Sequence, residues 1–179
     1  MAKNKNDFKK TILVVDDEPD IRKYLSAALE EAGFRVIEAA DGDEALARVK
    51  ETKPDLISLD LIMPRKSGVK FHRELLKNKA WAKIPIIIVT GHARDDLGRA
   101  DLKELTMSGP GLYLEKPVNP QNYIVAVKKL LGEEIEESEE ATLEKIKIQN
   151  EIKDLMEKAD LDSLEKIKTL LKKNTDPQK

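Results

Sequence analysis

The sequence predicts an α/β protein: a doubly wound parallel sheet followed by a small helical appendage. Three observations carry this reading. Short apolar runs alternate with amphipathic segments through residues 11–131, the pattern of successive strand–helix units. Four of the runs stop abruptly at polar residues: Ile12-Leu13-Val14-Val15 at Asp16-Asp17, Leu56-Ile57-Ser58-Leu59 at Asp60, Ile86-Ile87-Ile88-Val89 at Thr90, and Leu112-Tyr113-Leu114-Glu115 at Lys116-Pro117. After Gly132 the composition turns acidic and then purely helical in pattern.

The elements follow in order. Residues 1–10 form a polar, basic tail, expected to be disordered, and the first strand covers 11–15. Pro19 suits the first position of a helix capped near Asp17 or Glu18, with Ile21, Tyr24, Leu25, Ala28 and Leu29 as its apolar face and Gly33 as its stop. A second strand spans 35–39. Asp41-Gly42 then turns into a helix that buries Ala45, Leu46 and Val49. Strand three spans 55–59, and a helix over 67–78 carries Val69, Phe71, Leu75 and Leu76. His72 on that helix is expected to face solvent, and Trp81 just beyond it to act as a hydrophobic anchor. Strand four spans 85–89 and the next helix 97–107. Gly109-Pro110-Gly111 breaks the chain before strand five at 112–115 and a helix at 120–131.

The acidic run Glu133 to Glu140 reads as a linker, at 132–138. Beyond it, residues 139–179 carry two amphipathic segments, expected as a helical hairpin over 139–159 and 162–173. One is marked by Leu143, Ile146, Ile152, Leu155, Met156 and Ala159, the other by Leu161, Leu164, Ile167, Leu170 and Leu171. Asp162-Ser163-Leu164-Glu165 has the form of a capping box between them. Two helices alone bury little surface, so the hairpin needs a partner: the main domain, a second copy, or another protein.

Composition narrows the function classes. The 179 residues contain no cysteine, which removes disulfide, thiolate-metal and cysteine-nucleophile chemistry. The net charge of −2 gives no general attraction to nucleic acid or anionic membrane, and the tail's basic residues are interleaved with acids. No apolar run approaches the roughly 20 residues of a membrane helix, and the N-terminus lacks a secretory h-region. A cytoplasmic location is the expectation.

In open α/β sheets ligands bind beyond the carboxyl ends of the strands, where Asp16, Asp17, Asp60, Thr90 and Lys116 converge. Clustered carboxylates raise one another's pKa unless a cation sits among them, and Mg²⁺ suits oxygen ligands. With no histidine nearby except His92, a zinc site is disfavoured. Asp60, the lone acid ending the central strand, is the natural nucleophile. A carboxylate oxygen can form an acyl phosphate, whose charge Lys116 would balance and to which the Thr90 hydroxyl would donate.

These residues resemble the receiver domain of two-component response regulators. The matching pieces are Val15-Asp16-Asp17-Glu18, Asp60-Leu61-Ile62-Met63-Pro64 with Gly68, Val89-Thr90-Gly91, and Tyr113-Leu114-Glu115-Lys116-Pro117, within residues 11–131. The resemblance implies a flavodoxin-like fold with strand order 2-1-3-4-5. It implies that Asp60 accepts phosphate from a histidine kinase or phosphotransfer protein. Asp17, Asp60 and the Ile62 carbonyl would bind Mg²⁺ directly, with Asp16 acting through water. Thr90 and Tyr113 match the family's switch pair: Thr90 moves toward phosphate, Tyr113 swings inward, and the face around strand five changes partners. The resemblance also implies a cis Lys116–Pro117 bond.

Departures from the family pattern also carry expectations. The stretch between Thr90 and Lys116 is long, so a longer loop is expected before the 97–107 helix, with His92 flanking the site entrance. Ile62, apolar and two residues after Asp60, would shield the phosphate. The predicted output is protein binding rather than DNA binding, with a second copy of the chain among the candidate partners. The only catalysis expected is of the chain's own phosphorylation and dephosphorylation. An aspartyl-phosphate phosphohydrolase is disfavoured because Ile62 stands where such enzymes usually carry a second aspartate. A scaffold that has lost phosphorylation is disfavoured because all the chemical groups are present.

Overall fold

The computed structural model describes residues 10–63, 67–91 and 112–175. Five parallel strands, β1 (Thr11–Val15), β2 (Arg35–Ala39), β3 (Leu56–Leu59), β4 (Ile86–Thr90) and β5 (Leu112–Glu115), form one sheet in the order β2-β1-β3-β4-β5. This is the flavodoxin-like arrangement the resemblance implied. The side-chain period of two divides each central strand between two cores. Leu13, Val15, Ile57, Leu59, Ile88 and Tyr113 face one layer, with α2 (Gly42–Thr52) and α3 (Gly68–Leu76). Ile12, Val14, Leu56, Ile87, Val89 and Leu114 face the other, with α1 (Pro19–Glu31) and α4 (Pro120–Leu130).

Local chemistry sets the helix ends. Pro19 opens α1, and Gly33 ends it at φ 90°, a left-handed conformation open to glycine without a Cβ penalty. Asp41 and Asn119 each cap a helix, their side-chain oxygens accepting two backbone N–H groups. Ser67 caps α3, so that helix starts at Gly68; it ends at Leu76, short of the expected 78, where Asn78 begins a turn into a short 3₁₀ segment at Trp81–Lys83. Trp81 is half-buried against the first core, as anticipated. Strand β4 runs one residue later than expected, from Ile86, because Pro85 has no N–H to give the ladder.

Three side chains depart from the sequence reading. His72 is buried, at 6% exposure, because it follows Val69 by three residues and precedes Leu75 by three, on the inner side of α3. Leu76 and Tyr24 are exposed, and Tyr24 donates its hydroxyl to the Val118 carbonyl at 3.3 Å. The helix expected at 97–107, the loop with His92 and the glycine-proline break at 109–111 lie outside the described residues, as do Pro64 and the tail at 1–9.

Past Gly132 come α5 (Glu137–Lys158) and α6 (Leu161–Thr175). A capping box between Glu136 and Glu139 starts α5 two residues before the expected position. The start of α6 also differs: Asp160, not Asp162, accepts the Ser163 N–H at 2.8 Å, so the box expected at Asp162–Glu165 does not form the cap. The apolar residues of α5 divide between two faces. Leu143 and Ile146 are buried where α5 packs on α4, Ile146 within the second core, whereas Ile148, Ile152 and Leu155 are exposed. At 100° per residue the two sets lie on opposite sides of the helix, so the single face expected from Leu143 to Ala159 is replaced by two. Among the described residues no helix is long and apolar enough to cross a membrane.

Candidate functional site

The sheet brings the acidic residues together by register. Val15 pairs with Leu59, so the residues that follow, Asp16 and Asp60, leave adjacent strands at the same level. Backbone bonds continue the ladder one step further: Asp60 N–H donates to the Val15 carbonyl at 2.9 Å, and Asp16 N–H to the Ala39 carbonyl at 3.2 Å. Carboxylate oxygens of Asp16, Asp17 and Asp60 lie within 4.8 Å of one another. Asp16 and Asp60 are buried, and Asp17 is half-buried at the rim.

Lys116, carried in by the end of β5, closes the cluster. Its ammonium stands 2.8 Å from Asp60 Oδ2 and 2.9 Å from both Asp16 Oδ2 and Glu18 Oε1. Burial alone would lower the lysine pKa. Its close pairing with the carboxylates of Asp60, Asp16 and Glu18 more than reverses this and holds it above the ordinary value, so the group stays charged. Burial raises the Asp16 pKa, with Lys116 and the Glu18 N–H opposing. The Lys116–Pro117 bond is cis, as the resemblance implied.

Each oxygen of Asp60 has a separate partner. Oδ1 accepts the Ile62 N–H at 3.0 Å, and Oδ2 meets Lys116. Asp16 Oδ1 accepts the Glu18 N–H at 3.0 Å, while Oδ2, fully buried, touches Lys116 without hydrogen-bond geometry. A buried carboxylate oxygen with no directional donor, among three oxygen donors, suits a hard divalent cation. Ile62, whose N–H meets Asp60, exposes its side chain. Thr90 is the last residue of β4, opposite Glu115; its side chain lies outside the described part. Tyr113 is buried in the first core at 9% exposure, so its ring is already inside.

Three supporting features go beyond the sequence reading, which named Gly68 as part of a motif but not its contact. Arg22 Nη1 donates to the Asp16 carbonyl at 2.6 Å, and its Nε pairs with Glu38, which also accepts the Ser26 hydroxyl at 2.7 Å. Gly68 packs directly on the Asp60–Leu61 backbone: a Cβ there would collide with the Asp60 carbonyl oxygen and lie 2.8 Å from Leu61 Cα. Tyr123 of α4 is fully buried and places its hydroxyl near Ser58, without a hydrogen bond of acceptable geometry. No periodicity announces these contacts, because each depends on how loops and helix ends pack at the sheet edge; Gly68 and Glu18 were legible as members of the motifs, Arg22 and Tyr123 were not.

The family described as response regulator receiver domain matches residues 12–128. The chain belongs to the response-regulator receiver family. Among similar proteins, the phosphate regulon transcriptional regulatory protein PhoB of Pseudomonas aeruginosa is 37% identical over 122 residues, 68% of this chain and 52% of that protein. The transcriptional regulatory protein ResD of Bacillus subtilis is 38% identical over 120 residues, 67% of this chain and 47% of that protein. The match thus spans about half the length of these relatives. Among solved structures, the chemotaxis protein CheY4 of Vibrio cholerae superposes with a TM-score of 0.60 at 30% identity, covering 68% of this chain and 98% of that one. The receiver domain of sensor histidine kinase PA1611 from Pseudomonas aeruginosa PAO1, described with a magnesium ion coordinated in its active site cleft, gives a TM-score of 0.60 at 27% identity, covering 69% and 98%. These matches cover 67–69% of this chain, and the family match ends at residue 128, ahead of α5 and α6.

Proposed function

We propose that this receiver is a phosphorylation switch in which Asp60 takes a phosphoryl group from the phosphohistidine of a histidine kinase or phosphotransfer protein. The observation that carries this is the Asp60 carboxylate itself: buried, oriented by the Ile62 N–H on one oxygen, and neutralised by Lys116 on the other. In the transfer a carboxylate oxygen of Asp60 bonds to phosphorus as the phosphorus–nitrogen bond of the donor breaks, and the imidazole leaves with the electron pair. Phosphoryl transfer asks chiefly for positioning and for charge stabilisation of the equatorial oxygens. Lys116 supplies a fixed positive charge, and Thr90 stands at the strand end from which its hydroxyl would donate.

Asp16, Asp17, Asp60 and the Ile62 carbonyl are the groups that would hold Mg²⁺. When bound, the ion neutralises phosphoryl charge that three carboxylates would otherwise repel. Arg22 anchors the Asp16 backbone, and Gly68 lets α3 approach close enough to fix the Asp60 loop. The catalysis is confined to the protein's own phosphorylation and dephosphorylation, and a cytoplasmic location fits that role.

For the output we favour protein binding. The support is the extension: α5 and α6 carry interleaved charges in sequence, and α5 has an exposed apolar face. The names of PhoB and ResD favour a second reading, regulation of transcription, which in those proteins is accompanied by a longer chain than the matched half.

The test is incubation with Mg²⁺ and acetyl phosphate followed by intact mass measurement. A single phosphate adduct that disappears in Asp60→Asn is expected. No adduct where a control receiver labels supports the scaffold reading, and an adduct surviving Asp60→Asn places the acceptor elsewhere. A salt-sensitive shift of DNA by the phosphorylated chain would favour the transcriptional reading.

A further inference from the structure

The edge of β5 is covered from within. An edge strand leaves peptide groups without a ladder partner, and here Asn150 of α5 donates its side-chain N–H to the carbonyl of Tyr113 at 3.2 Å. The same helix buries Leu143 and Ile146 to 3% exposure where it packs on α4, Ile146 within the second core. Lys128 of α4 pairs with Glu139 of α5 at 2.7 Å. Between these anchors runs a groove of about 370 Å³ lined by Tyr113, Glu115, Pro117, Asn122, Ile146 and Asn150. The extension therefore rests mainly on α4 and meets β5 through Asn150, so a small shift of that strand changes the contact.

We infer that the downstream partner of this switch is the protein's own α5, which docks on β5 and α4 through Asn150, Leu143 and Ile146 and whose docking is coupled to phosphorylation at Asp60. This rests on the receiver reading above and names the partner it left open. The coupling residue is Tyr113. Its carbonyl receives Asn150 while its ring lies buried in the first core, the inward position that the switch-pair reading assigns to the phosphorylated state. The docked extension thus accompanies the inward ring. Coupling between two binding events is reciprocal: if docking favours the inward state, phosphorylation strengthens docking, and loss of docking weakens phosphorylation. A single neutral hydrogen bond supports a coupling of about twofold to tenfold.

The experiment uses the full chain and amide hydrogen exchange, with Mg²⁺ plus beryllofluoride as the phosphoryl mimic. Exchange is followed in peptides covering 143–150 of α5 and, separately, in those containing Asp16 and Asp60. On adding the mimic, both sets are expected to gain protection. In Asn150→Ala the 143–150 peptides are expected to lose most of that gain, and the mimic concentration giving half-maximal protection at Asp60 to rise about twofold to tenfold. Ile152→Ser, on the exposed face of α5, changes neither. Ile146→Ala gives a second route to the same loss, should Asn150→Ala relax locally.

Protection at the Asp60 peptides with none gained at 143–150 overturns the inference and leaves the receiver reading intact. A fall in protection at 143–150 also overturns it, since the extension is then released rather than engaged. No response at either place overturns the receiver reading and this inference with it.

Discussion

Replacing Lys116 by methionine separates the charge of this residue from its bulk. The ammonium lies within 2.9 Å of Asp60, Asp16 and Glu18 oxygens; 12% of the lysine side chain is exposed, against 5% for Asp60 and 1% for Asp16. Removing one partner from a buried ion pair costs roughly 3–5 kcal/mol, because the remaining charge keeps its desolvation penalty and loses its compensation. Glu18 is 60% exposed and adds little, and the lysine keeps some contact with water, so a cost of about 3 kcal/mol is expected in the absence of metal. For a chain of this size that lowers Tm by roughly 6–12 °C. Magnesium should act in the opposite sense. Ammonium and divalent cation compete for the same carboxylate oxygens, so Lys116→Met should bind Mg²⁺ more tightly than the wild type. A ligand at a hundred times its Kd stabilises by about 2.7 kcal/mol, enough to recover most of the loss. Thermal unfolding in EDTA and across a MgCl₂ titration measures both effects. Equal Tm values in EDTA, or a smaller rise with Mg²⁺ than in the wild type, would refute the view that Lys116 neutralises this cluster.

The remaining predictions concern the supports of the site and the extension. Gly68→Ala drives a methyl group into the Asp60–Leu61 backbone; a loss of about 1–3 kcal/mol by urea denaturation is expected, with slower labelling by acetyl phosphate, and unchanged labelling would show that the Asp60 loop yields freely. Tyr123→Phe removes a buried hydroxyl that lacks a well-formed hydrogen bond, so stability should stay within about 0.5 kcal/mol of wild type or rise; a clear loss would make Ser58 a true partner. Ile62→Asn should shorten the lifetime of the acyl phosphate, followed by intact mass after removal of the donor, and a longer lifetime sinks the shielding role. Glu139 should titrate below its usual 4.5, held down first by Lys128 and then by the Glu136 N–H. Its carboxylate then favours the folded, paired state fully above pH 4.5, and that small contribution is lost as pH falls through the depressed value. A carboxyl ¹³C titration with its midpoint at or above 4.5 argues against the pair, and Lys128→Ala should move the midpoint up.

The parts legible in the sequence were those that depend on local pattern. Four apolar runs and the polar residues ending them placed β1, β3, β4 and β5, and with them Asp16, Asp60, Thr90 and Lys116, because a strand is recognised by its own residues and its end is where polarity returns. The misreadings were at positions where a neighbour distant in sequence decides. His72 looked like a surface residue because histidine usually is one, yet its position between Val69 and Leu75 turns it inward. Tyr24 looked like a core residue because it keeps helical spacing, yet its outer side meets Val118 and solvent. The second face of α5 was merged with the first because Leu143–Ile146 and Ile152–Leu155 each keep helical spacing, although the six-residue step between the pairs turns the second one to the opposite side.

By itself the sequence determined the order of elements, the identity of the chemical groups and, through the family motifs, the strand order in which they meet. Tertiary structure decided how those groups are used. Register brought Asp16 and Asp60 to one level, and the end of β5 placed Lys116 on both of their carboxylates. Packing chose α4 and the β5 edge as the seat of α5, through a side chain, Asn150, that no pattern singled out. The physical reason is range. Secondary structure follows from neighbours a few residues apart, whereas the pairing of charges and the covering of a strand edge depend on which surfaces the completed sheet leaves open.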